Sequence, residues 1–196
     1  MSQLTFIELA GATMTFLNVI YAIREQWEAW IWAILSACFY GYIYWNSGLV
    51  ISAEIQVLYF IISIYGLSRW VSKSKTRKPK EQIKSSSMFF NIVVLIIVIS
   101  LAGILYYINS GLGEAETIAF DAMLVSSAIV AQWLTAKKYI FCWYLWIFVN
   151  IGYLPLFIIQ ELWVSLILYT VLFYFTYKGY KEWHYKLKRN LNAQPL

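Results

Sequence analysis

Trp143, Trp146 and Asn150 fall at i, i+3 and i+7 of one apolar run, which lines two indoles and a carboxamide along a single helix face. Indoles stack on flat rings and attract cations through their π faces, and an amide both donates and accepts hydrogen bonds, so this face suits a planar aromatic ligand. Trp143 stands near a run boundary, where an aromatic-belt residue is equally expected. Gln56 and Ser63, with Tyr59 or Phe60 between them, make a second polar stripe, and Gln132 adds another amide. Such stripes serve helix-to-helix hydrogen bonding as readily as ligand binding.

Seven of the ten carboxylates fall in loops or at run edges, leaving Glu8, Glu54 and Asp121 inside apolar runs. A charge at bilayer depth costs about 2.5 to 3.5 kcal/mol even on a lenient scale, so such groups usually face a bundle interior or an aqueous cavity. Glu8 and Asp121 lie about one turn inside the outer ends of their runs, where favouring a helix amino terminus explains them as well as function does. Glu54 lies deeper, about 7 to 8 Å inside its run. It is placed to hold a cation in an outer vestibule or to hydrogen-bond a neighbouring helix. Any of the three could carry a proton, so the sequence leaves ion coupling open.

The elements that must position these groups are seven apolar runs, each close to the ~20 residues a helix needs to cross the hydrocarbon layer. They cover 4–23, 28–45, 49–70, 88–108, 117–135, 140–159 and 162–180. With 61% hydrophobic, 19% aromatic and 13% charged residues among 196, the chain has the composition of an all-α integral membrane protein. Seven crossings put all fifteen Lys and Arg residues on one side. Arg24 follows the first run, Arg69 to Lys84 the third, Lys137 and Lys138 the fifth, and Lys178 to Arg189 the seventh. Cytoplasmic loops retain Lys and Arg, so the amino terminus is expected outside and the carboxyl terminus in the cytoplasm. The net charge of +5 then serves topology and anionic lipid, not nucleic acid. The first run, with no positive charge before it, reads as an uncleaved helix and not a signal peptide.

An offset of 113 residues superimposes Trp30 on Trp143, Gly66 on Gly179, Trp70 on Trp183 and Tyr40 on Tyr153, and sets Glu8 against Asp121 and Arg24 against Lys137. Three runs, one linking run and three runs follow, and the halves share one orientation, as in parallel-repeat transporters. The expected divisions are a first triplet over 1–72, a basic loop and linking helix over 73–116, a second triplet over 117–183 and a cytoplasmic tail over 184–196.

There is no phosphate-binding loop ending in Gly-Lys-Ser/Thr, so the chain is not expected to hydrolyse ATP. The sole histidine, His184, lies in the tail, and no His or Cys cluster offers a catalytic base or a metal site. Cys38 and Cys142 fall within runs, away from an oxidising face, so no disulfide is expected. No lysine stands in mid-run to carry retinal. No cofactor is implied, and an enzyme is not expected.

The segments FIELAG (6–11), QVLYFIISIYG (56–66), FDAMLVSSAIVAQWLTAKK (120–138) and WYLWIFVN (143–150) resemble the PnuC family of bacterial vitamin transporters over nearly the whole chain. The last fits that family's W-x-x-W-x-x-x-N motif. The resemblance implies a seven-helix, three-plus-one-plus-three fold similar to SWEET transporters, a substrate site midway across the bacterial inner membrane, and facilitated diffusion. It also implies a cytoplasmic kinase that traps the vitamin by phosphorylation without having to touch the transporter. A homo-oligomer is left open.

Family members carry nicotinamide riboside, thiamine or riboflavin. Ser63, Leu67 and Cys142 stand where nicotinamide riboside members tend to have Asn, Trp and Asn, and IISIYG (61–66) looks more like the thiamine-type branch. Thiamine is therefore the first expectation, bound by Glu54, Gln56, Tyr59, Ser63, Asp121, Gln132, Trp143, Trp146 and Asn150. Nicotinamide riboside is the alternative. From another class, a non-transporting receptor or assembly subunit would use the basic loop to recruit a cytoplasmic partner.

Overall fold

The computed structural model describes residues 3–46, 50–75, 82–111, 115–159 and 163–192. Its seven helices are α1 (Gln3–Ile23), α2 (Glu28–Asn46), α3 (Val50–Lys75), α4 (Met88–Asn109), α5 (Ala115–Ala136), α6 (Cys142–Ile159) and α7 (Trp163–Asn192). Their bounds follow the apolar runs within a few residues, except that α3 and α7 continue past them at their basic ends. The polar side chains there do not oppose helix, and basic groups such as Arg189 in the last turn of α7 favour a helix carboxyl terminus. Residues 184–192 of the expected tail are thus helical. Three helices contain stretches long and apolar enough to cross a membrane among the described residues, Ile55–Ser72, Met88–Asn109 and Glu116–Ala136.

The chain divides into two compact units. One comprises residues 1–82 with 135–137, the other 83–134 with 138–196. The fourth helix, expected as a connector, clusters with the second unit.

In the first unit α1 packs on α2 and α2 on α3. Hydroxyl and amide groups join α1 to α2: Thr15 Oγ1 and Ser36 Oγ are 2.7 Å apart, and Asn18 Nδ2 donates to the Ala29 carbonyl at 2.8 Å. A Cβ on Gly11 would lie 3.2 Å from Tyr40 Cε2 and 3.5 Å from Phe39 Cβ, so glycine permits this close approach. Trp30 lies over Gly66, where a Cβ would come within 2.5 Å of the indole, and meets Trp70 edge-on at 5.4 Å. Trp70 Nε1 donates to the Ala136 carbonyl at 3.1 Å, which ties the 135–137 segment into this unit.

In the second unit α6 packs on α7, and Gly152 of α6 leaves room for Leu124 of α5, which a Cβ would strike. Trp143 lies over Gly179 in the same manner and meets Trp183 edge-on at 5.3 Å. Helix α4 buries only the stripe Val94, Val98 and Ala102, while Ile92, Leu95, Ile96, Ile97 and Ile99 stay exposed, as suits a helix whose other faces meet lipid. Ser87 caps it, accepting from Phe90 N at 3.2 Å. Just before that cap, Lys84 forms a short parallel bridge to the α5–α6 turn: its amide donates to the Lys138 carbonyl at 2.9 Å, and its carbonyl accepts from Ile140 at 3.0 Å. Phe90 stacks on Tyr139 at 4.7 Å beside this bridge.

The turns after α1 and α5 share one geometry. Glu25 and Lys138 both have φ 57°, the left-handed conformation that ends a helix. Gln26 N returns to the Tyr21 carbonyl at 3.0 Å, and Tyr139 N to the Leu134 carbonyl at 3.1 Å. Pro155, inside α6, deprives the Ile151 carbonyl of its helical donor.

Candidate functional site

On α3, Val57, Leu58, Ile61, Ile64 and Tyr65 are exposed and mark the outward face. Gln56, Tyr59 and Ser63 lie on the opposite side, Gln56 close to α2, where a Cβ on Gly41 would meet its Cβ at 3.5 Å. Ser63 is fully buried, and its hydroxyl donates to the Tyr59 carbonyl one turn back at 2.7 Å. The stripe read from the sequence thus exists within the first unit. Glu54 and Glu8 have helical backbones, but their side chains lie outside the described residues.

The remaining candidates belong to the second unit. On α6 the exposed large hydrophobic residues are Tyr144, Phe148, Ile151 and Ile158, and Trp146 and Asn150 lie away from them. Asn150 is buried, and its Nδ2 donates to Thr176 Oγ1 of α7 at 3.0 Å. That bond commits one amide proton to helix packing and leaves a second N–H and a carbonyl for other work. Trp143 is 3% exposed and packs against Gly179 and Trp183, with its Nε1 buried and without a hydrogen-bond partner among the described residues. Gln132 is buried near the end of α5. Asp121 is exposed, and Tyr153 donates to its Oδ1 at 3.1 Å. The two carboxamides, the indoles and this carboxylate thus occupy α5 and α6 of one unit.

Sequence reasoning missed Tyr153 and Thr176. Tyr153 was detectable, since it stands three residues beyond Asn150 and so extends the Trp146–Asn150 face by one turn. Its ring is packed edge-on by Tyr169 of α7 at 5.4 Å. Nothing in the sequence links Thr176 to Asn150, because that pairing depends on how α7 is set against α6. Ser126 and Ser127, also buried, both donate to the Met123 carbonyl and so satisfy themselves within α5.

The model of the nicotinamide mononucleotide transporter family matches residues 5–185. The nicotinamide riboside transporter PnuC of Escherichia coli (strain K12) is 24% identical over 205 residues, covering 92% of this chain and 86% of that protein. The protein of the same name from Shigella flexneri gives the same figures, 24% identity with 92% and 86% coverage. A crystal structure of the vitamin B3 transporter PnuC has a TM-score of 0.76 to this fold at 21% identity, covering 94% of this chain and 83% of that one. At that identity the likeness to the crystal structure is one of fold. Both relatives are named for nicotinamide riboside, the second of the two vitamins weighed from the sequence, and they do not support the thiamine expectation.

Proposed function

The chain belongs to the nicotinamide mononucleotide transporter family, a family of membrane transporters and not of enzymes, and from that premise we propose that it admits nicotinamide riboside by facilitated diffusion. It lies in the bacterial inner membrane, amino terminus outside, and a cytoplasmic kinase traps the vitamin. The observation that carries this reading is the continuous face Trp146–Asn150–Tyr153, which ends at the Asp121 carboxylate. Indole faces and a carboxylate both attract a pyridinium cation, and the amide and phenol suit a carboxamide and a ribose. Gln56, Tyr59, Ser63, Gln132, Trp143 and Glu54 complete the proposed binding set.

The helices form three-plus-one-plus-three parallel repeats, a reading supported by the matched turns at Glu25 and Lys138 and the matched clusters at Trp30 and Trp143. The exchange of Gly11 and Phe39 for Leu124 and Gly152 supports it further: the offset of 113 residues that relates the tryptophans relates these pairs, with small and large partner reversed. The repeats span 1–72 and 117–183, and their rocking opens the site to either side.

Thiamine is the second reading, favoured by Ser63, Leu67 and Cys142, where the sequence departs from the nicotinamide riboside pattern. Purified protein in liposomes decides between them. Labelled nicotinamide riboside is expected to equilibrate with the lumen without any ion gradient. Entry of thiamine alone overturns the substrate, a required gradient overturns facilitated diffusion, and binding without flux favours a receptor.

A further inference from the structure

Asp121 stands six residues past Ala115, the first residue of α5, roughly 9 Å along its axis, and is exposed there. An ionised carboxylate facing hydrocarbon is penalised, so its exposed face is expected to meet water. Among the described residues Tyr153 is its hydrogen-bond partner, and no cation is paired with it. The phenol O–H fixes one oxygen and leaves the second to a ligand, while Tyr169 packs the Tyr153 ring edge-on and holds it in place. Three helices of one unit thus build a single anionic station with aromatic walls.

Its position gives it a role. Eleven residues, about three turns, separate Asp121 from Gln132 on one face of α5, and Tyr153 continues the Trp146–Asn150 face of α6 by one turn. The Asp121–Tyr153 pair therefore ends both polar faces on the side where α5 begins. The connections on that side, around 109–116 and 160–161, contain no Lys or Arg, so an arriving anion finds no counter-charge.

We propose that Asp121, oriented by Tyr153 and Tyr169, is a charge filter that admits a cationic pyridinium nucleoside and turns away its phosphorylated form. The filter rests on the transport reading above and adds its selectivity. Nicotinamide riboside carries one positive charge, whereas nicotinamide mononucleotide adds a phosphate and is net negative. The carboxylate attracts the first and repels the second.

The test is calorimetric titration of the purified protein in detergent with both compounds. Asp121→Asn keeps shape and removes charge. It is expected to weaken nicotinamide riboside roughly tenfold while leaving nicotinamide mononucleotide equal or tighter, so that the preference narrows by at least that factor. Tyr153→Phe, which frees the carboxylate but keeps its charge, narrows it less. A merely structural role would weaken both compounds in parallel, and that result, or an unchanged ratio, overturns the filter. If the unaltered protein binds neither compound, the transport reading itself fails and the filter with it.

Discussion

Trp30 and Trp143 have matching surroundings in two different units: each indole lies over a helical glycine and meets a second tryptophan edge-on, Trp70 at 5.4 Å and Trp183 at 5.3 Å. In both, the indole Nε1 is buried without a hydrogen-bond partner among the described residues. A buried orphan donor costs about 1 to 3 kcal/mol, so its presence twice shows how strongly ring packing dominates at these points. The indole cannot shift toward a polar partner without leaving its glycine.

Filling either glycine should therefore be costly. Gly66→Ala and Gly179→Ala are each expected to destabilise the protein by about 1 to 3 kcal/mol, as overpacking does, despite alanine's better helix propensity. Gly103→Ala, where a Cβ meets nothing within 4 Å, should be neutral or slightly stabilising. Thermal unfolding in detergent measures all three, and equal behaviour of the three would contradict the packing account.

Gly152→Ala should destabilise the second unit because its Cβ would run into Leu124. Leu124→Ala in the same chain removes that clash, so the double variant is expected to be more stable than the sum of the singles by about 1 kcal/mol or more. Additive losses in a double-mutant cycle would show that the two positions do not restrain each other.

Asn150 bonds Thr176 of α7 and is proposed to bind the vitamin, and the two roles can be separated. Trp146→Ala and Asn150→Ala are expected to abolish vitamin binding in protein that remains folded. Thr176→Val removes the acceptor of the 3.0 Å bond while leaving the amide, and should cost about 1 kcal/mol of stability with a smaller loss of affinity. If Thr176→Val abolishes binding as completely as Asn150→Ala, the amide acts only through α7.

The helices were legible because each apolar run is close to a membrane's thickness and ends in charge or turn residues, which fixed α1, α2 and α4 almost to the residue. The overrun of α3 and α7 was hidden, since apolarity marks where hydrocarbon ends and not where helix ends. The Gln56–Ser63 and Trp146–Asn150 faces follow from the 3.6-residue period alone. Thr176 does not, because side-chain pairing between helices depends on rotation and depth that no single run encodes. The exchange of Gly11 and Phe39 for Leu124 and Gly152 was equally invisible: residue identity is lost at both positions while the fit of small against large is kept.

A flat cationic vitamin is proposed to bind against the Trp146–Asn150 face, and intrinsic tryptophan fluorescence of the purified protein reports such binding. Nicotinamide riboside is expected to quench the emission saturably, to lose that effect in Trp146→Ala, and to resist displacement by thiamine. Quenching by thiamine alone would reverse the substrate assignment, and no response to either compound from folded protein would contradict the account.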